Sequence, residues 1–233
     1  MAQAGNLGQR ITDLIGTDYN TIPAYAGDLI NAAINETADL MSEDLLLKYS
    51  RTPGILEANT EWLVEDRKIL KVTRTDADSS GIERECVYLD RPAFSAAQDS
   101  NSIYYATVNS PVYHLDTANA GAATLKIMPV PTTPQKGRIW YFQYVTGSLP
   151  DGTITDLTEA QVNTHLFMPS NSMHAIALKS AINILQAYIS DFVQDEEDAE
   201  MVQMIQAQLK GLQTDYQQEM QRFMDEAGRP GAE

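Results

Sequence analysis

Cysteine is nearly absent from this chain. Its one thiol, Cys86, excludes an internal disulfide, and its setting in Glu85-Cys86-Val87-Tyr88 reads as an inward-facing strand position rather than a reactive site. Basic residues are also scarce: 16 Lys and Arg stand against 32 Asp and Glu, a formal charge of -16 over 233 residues. That balance argues against a protein that grips nucleic acid through phosphate contacts, which need clustered cations. No apolar run approaches the ~18 residues of a membrane span. Met1-Ala2-Gln3-Ala4-Gly5 lacks the basic and apolar regions of an export signal, so the expectation is a soluble protein made in a cytosol, with no membrane partner. Histidine is limited to His114, His165 and His174, in three separate segments without metal-ligand spacing; they read as structural. Hydrophobic content of 43% with 8% aromatics is that of an ordinary globular protein.

What is present is helical periodicity at both ends. From Ser170 to Phe223, two consecutive helices joined at Gln194-Asp195 are predicted. In the first, Met173, Ile176, Ala177, Ala181, Ile184, Leu185, Tyr188, Ile189 and Phe192 recur at three- and four-residue steps and so share a face. The second repeats this with Met201, Ile205, Leu209, Leu212, Tyr216, Met220 and Phe223. Asp195, Glu196, Glu197 and Asp198 supply an N-cap and an acidic first turn, which the positive end of a helix dipole favours. The comparable segment elsewhere is Tyr25 to Tyr49, with Leu29, Ile30, Ala33, Ile34, Thr37, Leu40, Met41 and Leu45 as its stripe. Arg51-Thr52-Pro53-Gly54 stops it, because proline lacks the amide donor. A short helix is predicted over Leu7 to Ile15, ended by Gly16.

Between these ends the period changes to that of strands. Trp62 to Val64, Ile69 to Thr75, Ile82 to Leu89, Ile103 to Tyr105, Val112 to Leu115, Thr124 to Val130 and Gly137 to Val145 are rich in β-branched and aromatic residues. Pro92 to Gln98 reads as one helical turn. The expected fold class is α+β: a helical bundle of long helices from both chain ends (residues 1–54 and 157–227) with an inserted small antiparallel β domain (55–156) and a flexible C-terminal tail (228–233).

Chemistry is hard to find. Asp76 to Gly81 matches the opening of a calcium-binding loop, but the closing position, which needs a bidentate Glu, is Val87, and a polar hairpin turn is the reading. A nucleophile elbow, a phosphate-cradling Gly-x-x-x-x-Gly-Lys and a dinucleotide fingerprint are all missing from the sequence. The expectation is no enzyme, no cofactor and no metal. In Trp140-Tyr141-Phe142-Gln143-Tyr144 alternation sends half the aromatics to the core; Tyr141 and Tyr144 are candidates for a subunit interface.

The order of these parts carries a resemblance. A long helix with a Pro-Gly stop is followed by Asn101-Ser102-Ile103-Tyr104-Tyr105 and Val112-Tyr113-His114-Leu115-Asp116. Leu125-Lys126-Ile127-Met128-Pro129-Val130-Pro131, Ile139-Trp140-Tyr141-Phe142-Gln143-Tyr144 and Leu166-Phe167-Met168-Pro169 come next, opening a helix pair. From about Ile30 to Phe223 this resembles the head-to-tail connector (adaptor) proteins of short-tailed bacteriophages. The resemblance implies a structural virion protein at the head-tail junction, synthesised in the host cytoplasm. It implies a ring, usually a dodecamer, between the portal protein and a tail tube or nozzle protein, with double-stranded DNA passing through its channel without specific binding. It also implies portal engagement by the C-terminal helix and its extension, which here carry Arg222, Phe223, Met224 and Arg229. The alternatives are another tail ring or tube protein and, from a different class, a carbohydrate-binding or hydrolytic β-domain on a helical stalk.

Overall fold

The computed structural model describes residues 5–16, 26–50, 53–57, 62–75, 81–116, 123–133, 135–147, 154–192 and 199–227. They form an α+β protein of two units, one of residues 1–49 with 144–233 and one of residues 50–143.

The first unit is helical. Helix α1 (Leu7–Ile15) starts at Asn6, whose side chain accepts from the Gln9 amide at 2.9 Å, and ends at Gly16 with φ +71°. That left-handed cap is the conformation for which glycine carries no Cβ penalty. Helix α2 (Ala26–Leu40) buries Ile30, Ala33, Ile34, Thr37 and Ala38. Helix α3 (Glu43–Tyr49) follows after a break at Met41-Ser42. One continuous helix over Tyr25 to Tyr49 is the expectation, and the break corrects it. Ser42 Oγ accepts from the Leu45 amide at 3.3 Å ahead of Glu43 and Asp44, the chemistry of a fresh helix start. The break resets the phase: Leu40 is exposed, and Leu46 rather than Leu45 is buried.

Later in the chain, a 3₁₀ turn (Ile154–Asp156), the short helix α5 (Glu159–Gln161) and a π turn (Val162–Leu166) lead into α6 (Ser172–Phe192) and α7 (Ala199–Ala227). Helix α6 packs against α1, α2 and α7. Accordingly it is buried on every side from Ser172 to Leu185 except at His174, Lys179 and Asn183. An apolar surface running round a helix is what a central position requires, and it is broader than the one-sided stripe that the periodicity predicts. The joint at Gln194-Asp195 and the acidic run to Asp198 lie outside the described residues.

The second unit is built of β1 (Gly54–Leu56), β2 (Trp62–Leu63), β3 (Arg67–Thr75), β4 (Glu83–Glu85), β5 (Val87–Tyr88), α4 (Arg91–Ala96), β6 (Val112–Asp116), β7 (Thr124–Met128) and β8 (Gly137–Gln143). Two four-stranded sheets result, in the orders β1-β8-β3-β4 and β2-β7-β6-β5. The pairs are antiparallel except β5 with β6. Leu56, Val72 and Ile139 from the first sheet share one core with Leu125 and Ile127 from the second, the arrangement of a small sandwich. Gly137 makes it possible: a Cβ there would stand 2.6 Å from Ile127 Cδ1.

Four expectations are corrected in this unit. The predicted Ile82–Leu89 strand is two strands, because Cys86 turns into the core, its amide bonding Val72 O at 2.8 Å, while β4 joins one sheet and β5 the other. Ile103 to Tyr105 is a turn. Gly54, read as the end of a helix stop, opens an edge strand, Gly54–Leu56, paired with β8. The division between units falls at Tyr49/Ser50 and Gln143/Tyr144 rather than at residues 54/55 and 156/157. The reason is bonding: the returning chain is tied to α2, with the Asn35 side chain accepting from Val145 N at 2.8 Å and donating to Val145 O at 3.0 Å.

Arg74 anchors the β unit. It is 1% exposed, and its guanidinium donates to Pro129 O at 2.8 Å, Thr75 O at 3.0 Å and Gln135 Oε1 at 2.8 Å. A buried cation is tolerated where its donors are all directed at acceptors; two of these, Pro129 O and Gln135 Oε1, lie on the turn between β7 and β8 and the third, Thr75 O, on β3 itself.

Candidate interaction surfaces

The two predicted interface tyrosines fall in different units and both are engaged within the chain. The Tyr141 ring lies 4.8 Å from that of Trp62, and the Arg67 guanidinium stands 4.5 Å over Trp62 and 5.2 Å over Tyr141. Arg67 also donates to Gln143 Oε1 at 2.9 Å and to Leu63 O. Trp62 belongs to one sheet, Arg67 and Tyr141 to the other, so this cation–π clasp closes one end of the sandwich. Tyr141 is half-buried in it. Tyr144 sits on α2, where its hydroxyl donates to Asp39 Oδ1 at 2.6 Å. Burial and then the Asp39 carboxylate push the phenol up to about 12. Asn31, Asn35 and Asp39 recur every fourth residue, a single helix face, and hold Gly147, Val145 and Tyr144 in turn.

The predicted portal-facing residues also divide. On α7, Arg222 is 72% exposed at its side chain and pairs with Glu219 at 2.5 Å. Met224 is exposed. Phe223 is not available: at 4% exposure it continues the buried row of Ile205, Leu209, Leu212, Tyr216 and Met220. This corrects the expectation that it fills a partner's groove, and the physical reason is its place on the stripe that α7 turns inward. Arg229 lies outside the described residues.

The surface that sequence reasoning missed is the loop after α4. Asp90 caps that helix, accepting from the Ala93 amide at 3.0 Å, with Pro92 in its first turn. Beyond it, Asp99 Oδ1 accepts from Asn101 N at 2.9 Å, Ser102 N donates to Asp99 O at 2.9 Å, and Ser102 Oγ accepts from Tyr104 N at 3.1 Å. Tyr105 N bonds Ser102 O at 3.1 Å and Ala106 N closes the loop on Ala97 O at 3.0 Å. Underneath, Phe94, Ala97, Ala106 and Val112 form a core of their own. Out of this braced turn projects Ile103, 93% exposed, flanked by Tyr104 and Tyr105 at 45% each. The edge strand β5 adds exposed Val87 and Tyr88. Large apolar side chains held rigidly in water are what interface anchors look like before they are covered. The signal was in the sequence: Asp99-Ser100-Asn101-Ser102 is a run of turn formers, which outweighs the β propensity of the three residues after it.

His114 is buried between Phe94, 5.2 Å away, and Tyr88, 6.4 Å away, with Nδ1 bonded to Leu89 O at 2.9 Å. His165 Nδ1 lies 3.2 Å from Gln161 O, and His174 is exposed. Cys86 is buried, and burial, only partly opposed by the charge of Arg74, pushes its thiol up from 9.0 to about 12. Among the described residues no three His, Cys, Asp or Glu side chains cluster as a metal site would require. The calcium-like loop, residues 76–80, lies outside them. No described helix is long and apolar enough to cross a membrane. Compared with protein-family models, curated proteins and solved structures, the chain finds no match.

Proposed function

We propose that this protein is a structural virion component, a head-to-tail connector that forms a ring, a dodecamer by its resemblance, between a portal protein and the tail at the head-tail junction. In this reading, long helices from both chain ends make a bundle that carries the β unit as an insertion. The observation that carries it is the Ile103-Tyr104-Tyr105 loop, a braced apolar projection of the kind that assembly proteins insert between neighbours. An acidic chain of charge -16 suits a channel wall along which DNA moves without sticking. Catalysis has no part in this reading. Portal docking falls to the exposed end of α7, with Arg222, Met224 and the residues beyond Ala227 including Arg229, but without Phe223. The test is native mass, measured for the chain alone and after mixing with a portal ring. A closed ring of chain copies on the portal supports the reading. A chain that leaves the portal unbound at every ratio refutes it.

A further inference from the structure

Helix α7 presents a second surface, distinct from the β-unit loop and argued independently of the connector reading. Its 29 residues run about 43 Å, and a single row of side chains is buried, against α6. Over residues 201–218 the helix holds one cation, Lys210, and one anion, Asp215, but six glutamines. Gln203, Gln206, Gln213 and Gln217 are exposed, as are Ala207 and Gly211. A Cβ added at Gly211 would meet nothing within 4 Å. On a chain of charge -16 this long, amide-covered stretch, whose exposed Lys210 and Asp215 cancel to no net charge, is the exception.

We propose that this face of α7 binds the same face of a second copy of the chain. Three physical arguments select that occupant. An amide is donor and acceptor at once, so a glutamine-covered face complements itself, whereas a carboxylate face cannot. Two polyanions repel wherever their charges meet, and a neutral face is where that repulsion is least. A nucleic acid would find one lysine there, too little for phosphate binding, and a cationic protein would be drawn to the acidic surfaces instead. Ala207 and Gly211, one turn apart, allow the two backbones to come close.

The experiment is sedimentation of the full chain, without portal, from about 50 mM to about 500 mM salt. Association through a face of no net charge on a polyanion strengthens as salt rises; association through opposite charges weakens. The variant Ala207→Glu with Gly211→Glu places carboxylates in the middle of the face, at positions with open space and with helix propensity improved at Gly211. It should keep its circular dichroism and self-associate at least about tenfold more weakly. Gln186→Glu with Ser190→Glu, on exposed positions of α6, adds the same charge on a different helix and should stay within about threefold of the natural chain. A natural chain that is monomeric at all salt concentrations overturns the proposal, as does an equal loss in both variants. Because portal is absent, neither result bears on the connector reading, which fails only if the portal complex fails.

Discussion

The two units hold themselves together by different means. The helical unit is organised by one apolar helix, α6, and by a row of polar side chains on α2 that fastens the returning chain. The β unit has a small aliphatic core and relies on two arginines, Arg74 buried under a turn and Arg67 clasped between aromatic rings. Each set of ties stays within its own unit: side chains of α2 hold residues 144–147, and Arg74 of β3 reaches Pro129 on the turn after β7. Point changes should therefore strike the units separately. They can be read separately too: Trp62 and Trp140, the chain's two tryptophans, both lie in the β unit, so fluorescence reports that unit and helical circular dichroism chiefly the other.

The largest effect is expected for Arg74→Met, which keeps bulk but leaves buried acceptors at Pro129, Thr75 and Gln135 without their donor. A loss of about 3 to 5 kcal/mol is expected, read in urea as an early fluorescence transition with little change in the helical signal. The converse is Ile176→Ala, at a position of α6 with 0% exposure. It should cost about 2 to 4 kcal/mol through cavity formation, and here the helical signal should move first. If both variants shift both signals equally, the units unfold as one and the comparison fails.

Smaller effects sharpen the same contrast. Asn35→Ala removes both bonds to Val145 and should cost about 1 to 2 kcal/mol, with proteolysis newly admitted near residues 143–147. Ser180→Ala should be neutral or slightly stabilising, by up to about 1 kcal/mol. Its hydroxyl is buried in α6 without a hydrogen-bond partner, and thermal melting reads the change.

These differences also explain what the sequence reveals. The boundaries of α1 were legible because Asn6 and Gly16 are caps in the strict chemical sense, and the α6–α7 stripes because apolar spacing is local. The α2–α3 break was there to be read in Ser42-Glu43-Asp44, but the apolar period ran across it. The split at Cys86 was not legible, since it depends on which of two sheets each neighbour joins. Nor was the role of Arg67 or Arg74, whose partners are set by tertiary folding. Of the candidate site, Arg222 and Met224 are exposed on α7. Phe223 belongs to the helix's own core, and Tyr141 and Tyr144 are engaged within their units. The most exposed anchor, Ile103, was assigned to a strand because its β propensity was weighed above the turn formers before it.

The central claim, that the braced loop of the β unit is an assembly contact, is tested most directly by Ile103→Ser combined with Tyr104→Ser. Both side chains point into water, so stability should change by less than about 0.5 kcal/mol. Mixed with portal rings and weighed by native mass spectrometry, the variant is expected to leave partial rings or free monomer where the natural chain closes. Complete rings of unchanged stoichiometry and strength would contradict the account.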